Sequence, residues 1–378
     1  MAALTAEVPT GYRIARNRVL EDAGLGSRAD NIWASPFFFV QFADPQLGGD
    51  AKFVLQDTSK GWEIEEAMLA VAIDEINRLG PAFAIICGDM VEEAPTPEYD
   101  QERRVQQVES FKTQCARIDP SIPLLCVCGN HDVGDRPNGA NVGAYVKDFG
   151  DDYFAFWVGG LKGIVINTQL WPRAKIAPLD AEAETMRRQQ EEWLEAVRWL
   201  ARSRTCDFLR TGLSLPLLTH TCLLIVTLTH PPPQELKAAD TKLAKHVLVF
   251  AHIAPFHDLE DEEDDKFNLT QDVRAWLIKL LVDHHVAAVF CGHWHRNGGA
   301  FTKSEKLEVV VTGPISFFNG LAEGKGVISP SLDNSGVRLV RLGSKAVRHR
   351  WYSLRELQQL QSLATVATEE WCQACDSE

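Results

Sequence analysis

Hydrophobic and polar residues alternate along the chain in two patterns that predict two kinds of element. Short apolar runs such as "FFFVQFAD", "FAIICGD" and "KHVLVFAH" have the length and the aromatic and β-branched content of buried strands. Longer segments between them carry apolar residues at helical spacing, as on one face of a helix. The clearest of these helices ends at Gly80, and its predicted apolar face consists of Ile64, Met68, Ala72, Ile76 and Leu79.

The same alternation continues over most of the chain. Strands are predicted in "PLLCVCGNHD", "DYFAFWVGG", "LKGIVINTQ", "VAAVFCGHWH", "LEVVVTG" and "VRLVRLG", and helices over residues 97–118, 181–202 and 271–285. Ser353 and Glu356 form a predicted capping box that opens a last helix. Strand–helix alternation followed by strand-rich segments indicates an α/β fold with mixed β-sheets.

Composition narrows the classes of partner. The chain of 378 residues carries a formal net charge of −14, so neither nucleic acid nor an anionic membrane is expected as a main partner. Its nine cysteines are scattered, and several lie in apolar strand-like runs, as reduced cysteines do. Together with an N-terminus that lacks the apolar core of a secretory signal, they indicate a reducing, cytoplasmic location.

The polar residues at the ends of the predicted strands carry the chemistry. In chain order they are Asp44, Asp89, Asn130 with His131 and Asp132, His252, and His293 with His295. Functional groups of an open α/β sheet gather outside the carboxyl ends of its strands, so these side chains are expected to converge. Such a mixed set of oxygen and nitrogen ligands suits Mn, Fe, Zn or Mg, and it is large enough for two ions that share a carboxylate.

Each of these motifs also has an ordinary interpretation. A single Gly-Asp after a strand is usually a turn, and a single histidine such as His252 is usually a core residue. "GHWH" is less common, because an extended chain would place His293 and His295 on one side. The ordered combination of the motifs, more than any one of them, indicates a metal site.

Residues 205–243 differ in composition from the rest of the chain and are interpreted as an insertion or a doubtful gene-model segment. Within them, residues 213–230 are mostly apolar and near the lower length limit of a membrane span. A crossing there would place Asp44 and Asp89 on one side of a bilayer and His252 on the other. Because one site cannot be built across a bilayer, no membrane span is expected.

The motifs "GD" (88–89), "GNHD" (129–132), "AH" (251–252) and "GHWH" (292–295) resemble those of the calcineurin-like metallophosphoesterase superfamily. The first motif of that superfamily is normally Asp-x-His, whereas this chain has Asp44-Pro45-Gln46. One branch, the calcineurin-like phosphoesterase domain-containing protein 1 group, carries glutamine there and is also similar in "GDDYFAFWVGG" and "HRWYSLREL".

The resemblance implies a four-layer sandwich in which two mixed β-sheets are flanked by helices. The predicted phosphoesterase domain spans residues 33–352 and includes the atypical insertion at 205–243. An N-terminal extension (1–32) precedes it, and a C-terminal helix and tail (353–378) follow it.

The resemblance also implies two divalent metal ions, whose identity among Mn, Fe, Zn and Mg stays open. One ion would be held by Asp44, Asp89 and His295, with Gln46 in the place of the missing histidine. The other would be held by Asp89, Asn130, His252 and His293. In this arrangement Asp89 bridges both ions.

The implied reaction is attack of a metal-activated hydroxide on phosphorus, with His131 as the general acid for the leaving alkoxide. Protein phosphatases of the superfamily place an aspartate at the position of Glu92 to orient this histidine. Glu92 either does the same or is a surface charge. Arg296 either contacts a phosphate oxygen or forms a solvent-exposed ion pair.

These inferences predict a dinuclear metal phosphomonoesterase, and the resemblance implies phosphoserine and phosphothreonine in proteins as its substrates. A phosphodiesterase or small-molecule phosphatase with the same site is one alternative. A non-catalytic interaction protein with a degenerate site is another, and Gln46 is its only support. The sequence does not determine the oligomeric state.

Overall fold

The structure is a computed structural model that describes residues 13–18, 20, 33, 35–201, 244–320, 324 and 326–360. The insertion predicted at 205–243 and its apolar run lie outside the described residues, as do most of the predicted N-terminal extension and the C-terminal tail. Among the described helices, none is long and apolar enough to cross a membrane.

The first β-sheet is built from β1 (Phe37–Phe42), β2 (Ala84–Cys87), β3 (Leu124–Val127), β11 (Gly336–Leu342) and β12 (Val347–Ser353). Their spatial order is β12-β11-β1-β2-β3. β1, β2 and β3 are parallel, whereas β11 is antiparallel to both of its neighbours. The carboxyl ends of the three parallel strands therefore lie at one edge of this sheet.

The second β-sheet contains β4 (Phe154–Val158), β5 (Leu161–Val165), β6 (His246–Phe250), β7 (Ala288–Cys291) and β8 (Glu308–Val311), in that spatial order. β4 and β5 form the predicted antiparallel pair, and β5 to β8 are parallel. A separate two-stranded antiparallel ribbon, β9 (Phe318–Gly320) with β10 (Gly326–Ile328), was not predicted from the sequence pattern.

The described helices are α1 (Glu63–Leu79), α2 (Gln101–Cys115), α3 (Asn130–Val133), α4 (Gly139–Phe149), α5 (Ala181–Ala201), α6 (Gln271–Asp283) and α7 (Leu354–Gln359). A π-helical turn over Asp50–Val54 and a 3-10 turn over Thr168–Leu170 complete the described elements. Gly80 ends α1 in the left-handed conformation, and the capping box of Ser353 and Glu356 opens α7, as predicted.

Three hydrophobic clusters separate four layers. The faces of the two sheets meet through aromatic side chains, with the ring of Phe39 in the first sheet edge-on to the rings of Phe250 and Phe290 in the second. The outer face of the first sheet packs against α1, α2, α4 and α7, and that of the second sheet against α5 and α6. The predicted sandwich of two mixed sheets flanked by helices is confirmed.

The buried face of α1 differs from the predicted one. Ile64 is 38% exposed, whereas Leu69 and Ile73 are fully buried beside Ile76. Apolar residues occupy two neighbouring stripes of this helix, so periodicity alone does not select between them. Packing against the first sheet selects the stripe that contains Leu69 and Ile73.

Candidate metal centre

The loops after β1 and β2 stay paired beyond the last residues of the strands. The amide of Asp44 donates to the carbonyl of Gly88, and the amide of Gln46 donates to the carbonyl of Asp89, at 3.0 and 2.8 Å. Leu47 and Val91 then form a parallel bridge. This continued pairing places the side chains that follow the two strands next to each other.

Several residues at these strand ends have a left-handed backbone, which is unusual for residues other than glycine. The φ angles of Asp44, Asp89, His293 and His295 are 52°, 53°, 69° and 55°. Such conformations cost about 1–3 kcal/mol each and persist only where the surroundings enforce them. They turn the polar side chains toward the common edge of the sheets.

The expectation that "GHWH" is extended is wrong. β7 ends at Cys291, and both His293 and His295 lie beyond it with positive φ. As a result the two rings do not share one side of a strand. They join two different groups of ligand-type side chains.

The structure brings the predicted ligands together in two groups that share Asp89. One group is Asp44, Asp89 and His295, and the other is Asp89, His252 and His293. Within each group, the atoms that could bind a metal lie within 4.8 Å of one another. Asn130 adjoins the second group, since its Oδ1 is 3.0 Å from Nε2 of His252.

Each of the three histidines is oriented by a backbone carbonyl. One ring nitrogen lies in hydrogen-bond contact with the carbonyl, so the other nitrogen is the one that a metal can bind once it is deprotonated. The acceptors are the carbonyl oxygens of Cys87, Lys266 and Phe317, at 2.8, 3.1 and 2.7 Å from His252, His293 and His295.

Asp132 is a structural residue of the site whose role was not predicted from the sequence. Its buried carboxylate accepts hydrogen bonds from the amides of Gly129, Asp89 and Met90 at 2.7, 2.8 and 3.1 Å. It therefore ties the "GD" loop to the "GNHD" loop. The acid at the end of "GNHD" is a signal for this role, because acceptors for backbone amides are needed where two loops meet.

Two glycines of the motifs are required because side chains of other motifs approach their Cα atoms closely. A Cβ atom at Gly88, where φ is 90°, would collide with the ring of His252, and one at Gly129 would collide with the carboxylate of Asp89. The glycine of one motif thus makes room for a ligand of another. This explains why these ligands follow glycine in the sequence.

The buried carboxylates and imidazoles of the two groups favour a bound cation. Burial raises the pKa of Asp44 well above its usual value, although the charge of His252 opposes this shift. Burial also acts on Asp89, but the charges of His252 and His131 outweigh it and lower the pKa of Asp89. Burial lowers the pKa of His295 to about 4, so this ring is neutral at neutral pH, as a metal ligand must be.

Gln46 leaves one buried oxygen without a hydrogen bond. Its Nε2 donates to the carboxylate of Glu92 at 2.7 Å, and its Oε1 has no partner among the described residues. A buried, unpaired oxygen two residues after Asp44, together with two buried aspartates and three oriented imidazoles, fits a divalent cation. The residues present therefore fit the dinuclear metal site of the resembled superfamily.

Glu92 is not a surface charge, so that interpretation is wrong. Its side chain is 1% exposed and lies 2.5 Å from Nζ of Lys52. Its backbone carbonyl accepts from Nδ1 of His131 at 2.7 Å, and its carboxylate is 3.5 Å from the same nitrogen. Burial opposes a charged ring, but the carboxylates of Glu92 and Asp89 raise the pKa of His131.

A cleft of about 850 Å³ lies next to the site and contacts His131 through one of its lining residues, Tyr99. Lys52 and Tyr99 line it, and the Tyr99 ring lies 6.3 Å from the His131 ring in an edge-on arrangement. The far part of the cleft is bordered by charged residues that include Glu98, Arg103, Arg136 and Asp180. None of these residues was predicted to belong to the site.

The region around Arg296 is structured by aromatic contacts. Its guanidinium lies 4.6 Å from the centre of the Trp294 ring, and the His257 ring stacks on the same tryptophan. Glu262 and Asp258 adjoin His257 in a third acidic group, in which Glu262 accepts from backbone amides. A contact between Arg296 and phosphate stays a prediction.

Comparison with known proteins agrees with this geometry. A model of the calcineurin-like phosphoesterase family matches residues 39–297. The chain is 31% identical to serine/threonine-protein phosphatase CPPED1 of Bos taurus, over 93% of this chain and 94% of that protein. Proteins of the same name are 32% identical in Mus musculus, over 92% of this chain and 93% of the relative, and 33% identical in Danio rerio, over 88% and 90%. The chain belongs to the calcineurin-like phosphoesterase family.

Proposed function

We propose that this protein is a dinuclear metal-dependent phosphatase that hydrolyses phosphoserine and phosphothreonine in other proteins. The observation that carries the proposal is the position of His131 beside the two ligand groups. The amide of His131 donates to Oδ1 of Asp89 at 2.9 Å, and its Nδ1 donates to the carbonyl of Glu92, which leaves Nε2 free for a substrate. The similarity to relatives named serine/threonine-protein phosphatase supports the choice of substrate.

Most of the site residues would bind the two metal ions that phosphate ester hydrolysis requires. Asp44, Asp89 and His295 with Gln46 would hold one ion, and Asp89, Asn130, His252 and His293 the other. When bound, divalent ions supply positive charge for the phosphate oxygens and lower the pKa of water. Mn, Fe, Zn and Mg are all compatible with this donor set.

His131 would provide the proton that the leaving alkoxide needs. Burial opposes a charged ring, but the carboxylates of Glu92 and Asp89 raise the pKa of His131 and so favour the protonated form that a general acid needs. The Glu92 carbonyl fixes the orientation of the ring. Transfer of that proton from Nε2 to the serine or threonine oxygen accompanies cleavage of the phosphorus–oxygen bond. General acid catalysis of this kind contributes roughly 10²- to 10⁴-fold in rate.

The cleft favours a polypeptide over a small molecule. Small-molecule pockets are mostly apolar with a few polar groups. This cleft is instead lined largely by charged and polar side chains, among them Lys52, Glu98, Arg136 and Asp180. A polar surface beside the proton donor suits the residues that flank a phosphoserine in a protein.

The experiment compares phosphopeptides, p-nitrophenyl phosphate and bis(p-nitrophenyl) phosphate, each with Mn, Mg and Zn. We expect kcat/KM to be highest for phosphopeptides and lowest for the diester. A preference for the diester would instead identify a phosphodiesterase, and similar values for peptides and p-nitrophenyl phosphate would indicate a small-molecule phosphatase. No turnover with any metal would indicate a non-catalytic protein.

Charge reversal in the cleft gives a matched control. Arg136→Glu should change kcat/KM for phosphopeptides but leave kcat/KM for p-nitrophenyl phosphate unchanged. Lys345→Glu reverses an exposed cation in the turn between β11 and β12, at the opposite end of the first sheet. Lys345→Glu should leave kcat/KM unchanged for both substrates, because this turn is far from the site. Leu342 beside the turn pairs with the first residue of β1 and not with its carboxyl end.

The buried thiols bear on location. Cys87, Cys115 and Cys128 are buried thiols. We propose a reducing compartment such as the cytoplasm, because unpaired buried thiols are common there.

A further inference from the structure

Gln46 and Glu92 form a hydrogen-bonded pair between the loops that follow β1 and β2. It forms because the loops after β1 and β2 continue their parallel pairing, with the amide of Glu92 donating to the carbonyl of Leu47 at 3.2 Å. Both side chains are 1% exposed. Water therefore cannot substitute for the contact between them.

The chemistry of this contact fixes the orientation of the glutamine. The two ends of a side-chain amide resemble each other in shape, so its orientation must be assigned from its partners. The Glu92 side chain forms a salt bridge with the ammonium of Lys52, and its second oxygen accepts from the NH₂ end of Gln46. With the nitrogen held at 2.7 Å, the oxygen must point away from Glu92.

Lys52 binds the other oxygen of the Glu92 side chain. Its ammonium lies 2.5 Å from Oε1 of Glu92, while Gln46 uses Oε2. The two oxygens of the carboxylate thus have different partners.

We propose that Glu92 is a positioning residue that presents Oε1 of Gln46 to the ion at Asp44 as a neutral oxygen ligand. The buried Oε1 without a hydrogen-bond partner among the described residues is the group left for that ion. Gln46 and Glu92 act as one unit that replaces the histidine of the usual Asp-x-His motif. The proposal concerns metal binding and does not rest on which phosphoester is hydrolysed.

The first test measures metal affinity directly. Metal-free protein is titrated with Mn by calorimetry, and Asp44→Asn identifies which binding event belongs to the Asp44 group. Glu92→Gln should weaken that event by about 10- to 100-fold, the usual effect of losing a residue that orients a ligand. The event that belongs to Asn130 and His252 should not change.

A double-mutant cycle separates positioning from general disruption. In a Gln46→Leu background there is no amide to orient, so adding Glu92→Gln should weaken Mn binding no further. The exchanged pair, Gln46→Glu with Glu92→Gln, restores one acid and one amide. It should recover Mn affinity at the Asp44 group to at least the wild-type value.

Two results would overturn the proposal. One is a Glu92→Gln variant that binds two ions with wild-type affinities. The other is an exchanged pair that binds no better than Glu92→Gln alone while its thermal unfolding matches the wild type. If Glu92→Gln itself does not fold, the exchanged pair and Lys52→Met still decide. Lys52→Met should weaken only the Asp44 event, and equal losses at both events would contradict the proposal.

Discussion

The two halves of the metal centre differ in their ligand chemistry. The half around Asp44 offers two carboxylates, the oxygen of Gln46 and one imidazole, His295. The half around Asn130 offers one carboxylate, one amide oxygen and two imidazoles. Oxygen-rich sites suit Mg and Mn, whereas imidazoles suit Zn and Fe. Replacement of a histidine by glutamine thus makes the two halves unequal.

The halves also differ in how their amide oxygens are held. Oδ1 of Asn130 lies 3.0 Å from a ring nitrogen of His252, so the two ligands adjoin each other directly. Gln46 is held from outside the ligand set, through Glu92 and its contact with Lys52. The Asp44 half therefore depends on a supporting pair that the Asn130 half does not need.

Asp89→Asn breaks both halves at once and should have the largest effect. Asp89 is the one carboxylate common to both groups, so its neutralisation should release both ions and lower kcat/KM by roughly 10³-fold or more. Metal analysis of the purified variant measures this. Two ions still bound per chain would remove Asp89 from the centre of the site.

His131→Ala should leave both halves intact and remove only the proton donor. We expect a full metal content and a loss of roughly 10²- to 10⁴-fold in kcat for alkyl phosphomonoesters. The loss should be smaller for p-nitrophenyl phosphate, whose leaving group needs little protonation. Equal losses for both substrates would show that His131 is not the acid.

Gln46→His should give each half two imidazoles. An imidazole is a better ligand than an amide oxygen for Zn, so Zn affinity of the Asp44 half should rise by about tenfold or more. Wild-type protein should lose the metal of this half first and regain activity when Mn or Mg is added. Calorimetric titration of both metal-free proteins measures the change, and indistinguishable Zn affinities would contradict it.

Glu65→Gln tests the support beneath the Asp44 half and should have the smallest effect. Buried Glu65 accepts from the amides of Gly48 and Asp50, and burial raises its pKa to about 7 from the usual 4.5. A carboxyl with a raised folded-state pKa stabilises the fold as the pH falls from 7 toward 4.5 and destabilises it when ionised. Glutamine keeps an acceptor oxygen without the charge.

The expected result is a gain of about 1 kcal/mol in the free energy of unfolding at pH 8. The gain should shrink as the pH falls toward 5, because the wild-type carboxyl is then protonated as well. Urea unfolding of the metal-free proteins at pH 5.5 and pH 8 measures both. A variant that is less stable than the wild type at pH 8 would contradict the assignment.

Much of the fold and most of the metal centre could be predicted from the sequence. The apolar runs and helical periodicities locate the parallel strands β1, β2, β3, β6 and β7. Because the carboxyl ends of parallel strands meet at one edge, the position of a polar residue just after a strand is enough to place it in the site. Asp44, Asp89, Asn130 and the three histidines required no knowledge of side-chain contacts.

Only the tertiary structure decided the rest. Glu92 follows a strand end like many surface acids, and its burial depends on Lys52 and Gln46, which lie 40 and 46 positions earlier. The choice of Leu69 and Ile73 over Ile64 depends on the sheet that covers α1. The spacing of apolar residues and the position of a residue along a strand are local properties, and the sequence therefore determines them. The partner that compensates a buried charge is set by distant segments, so it exists only once the chain has folded.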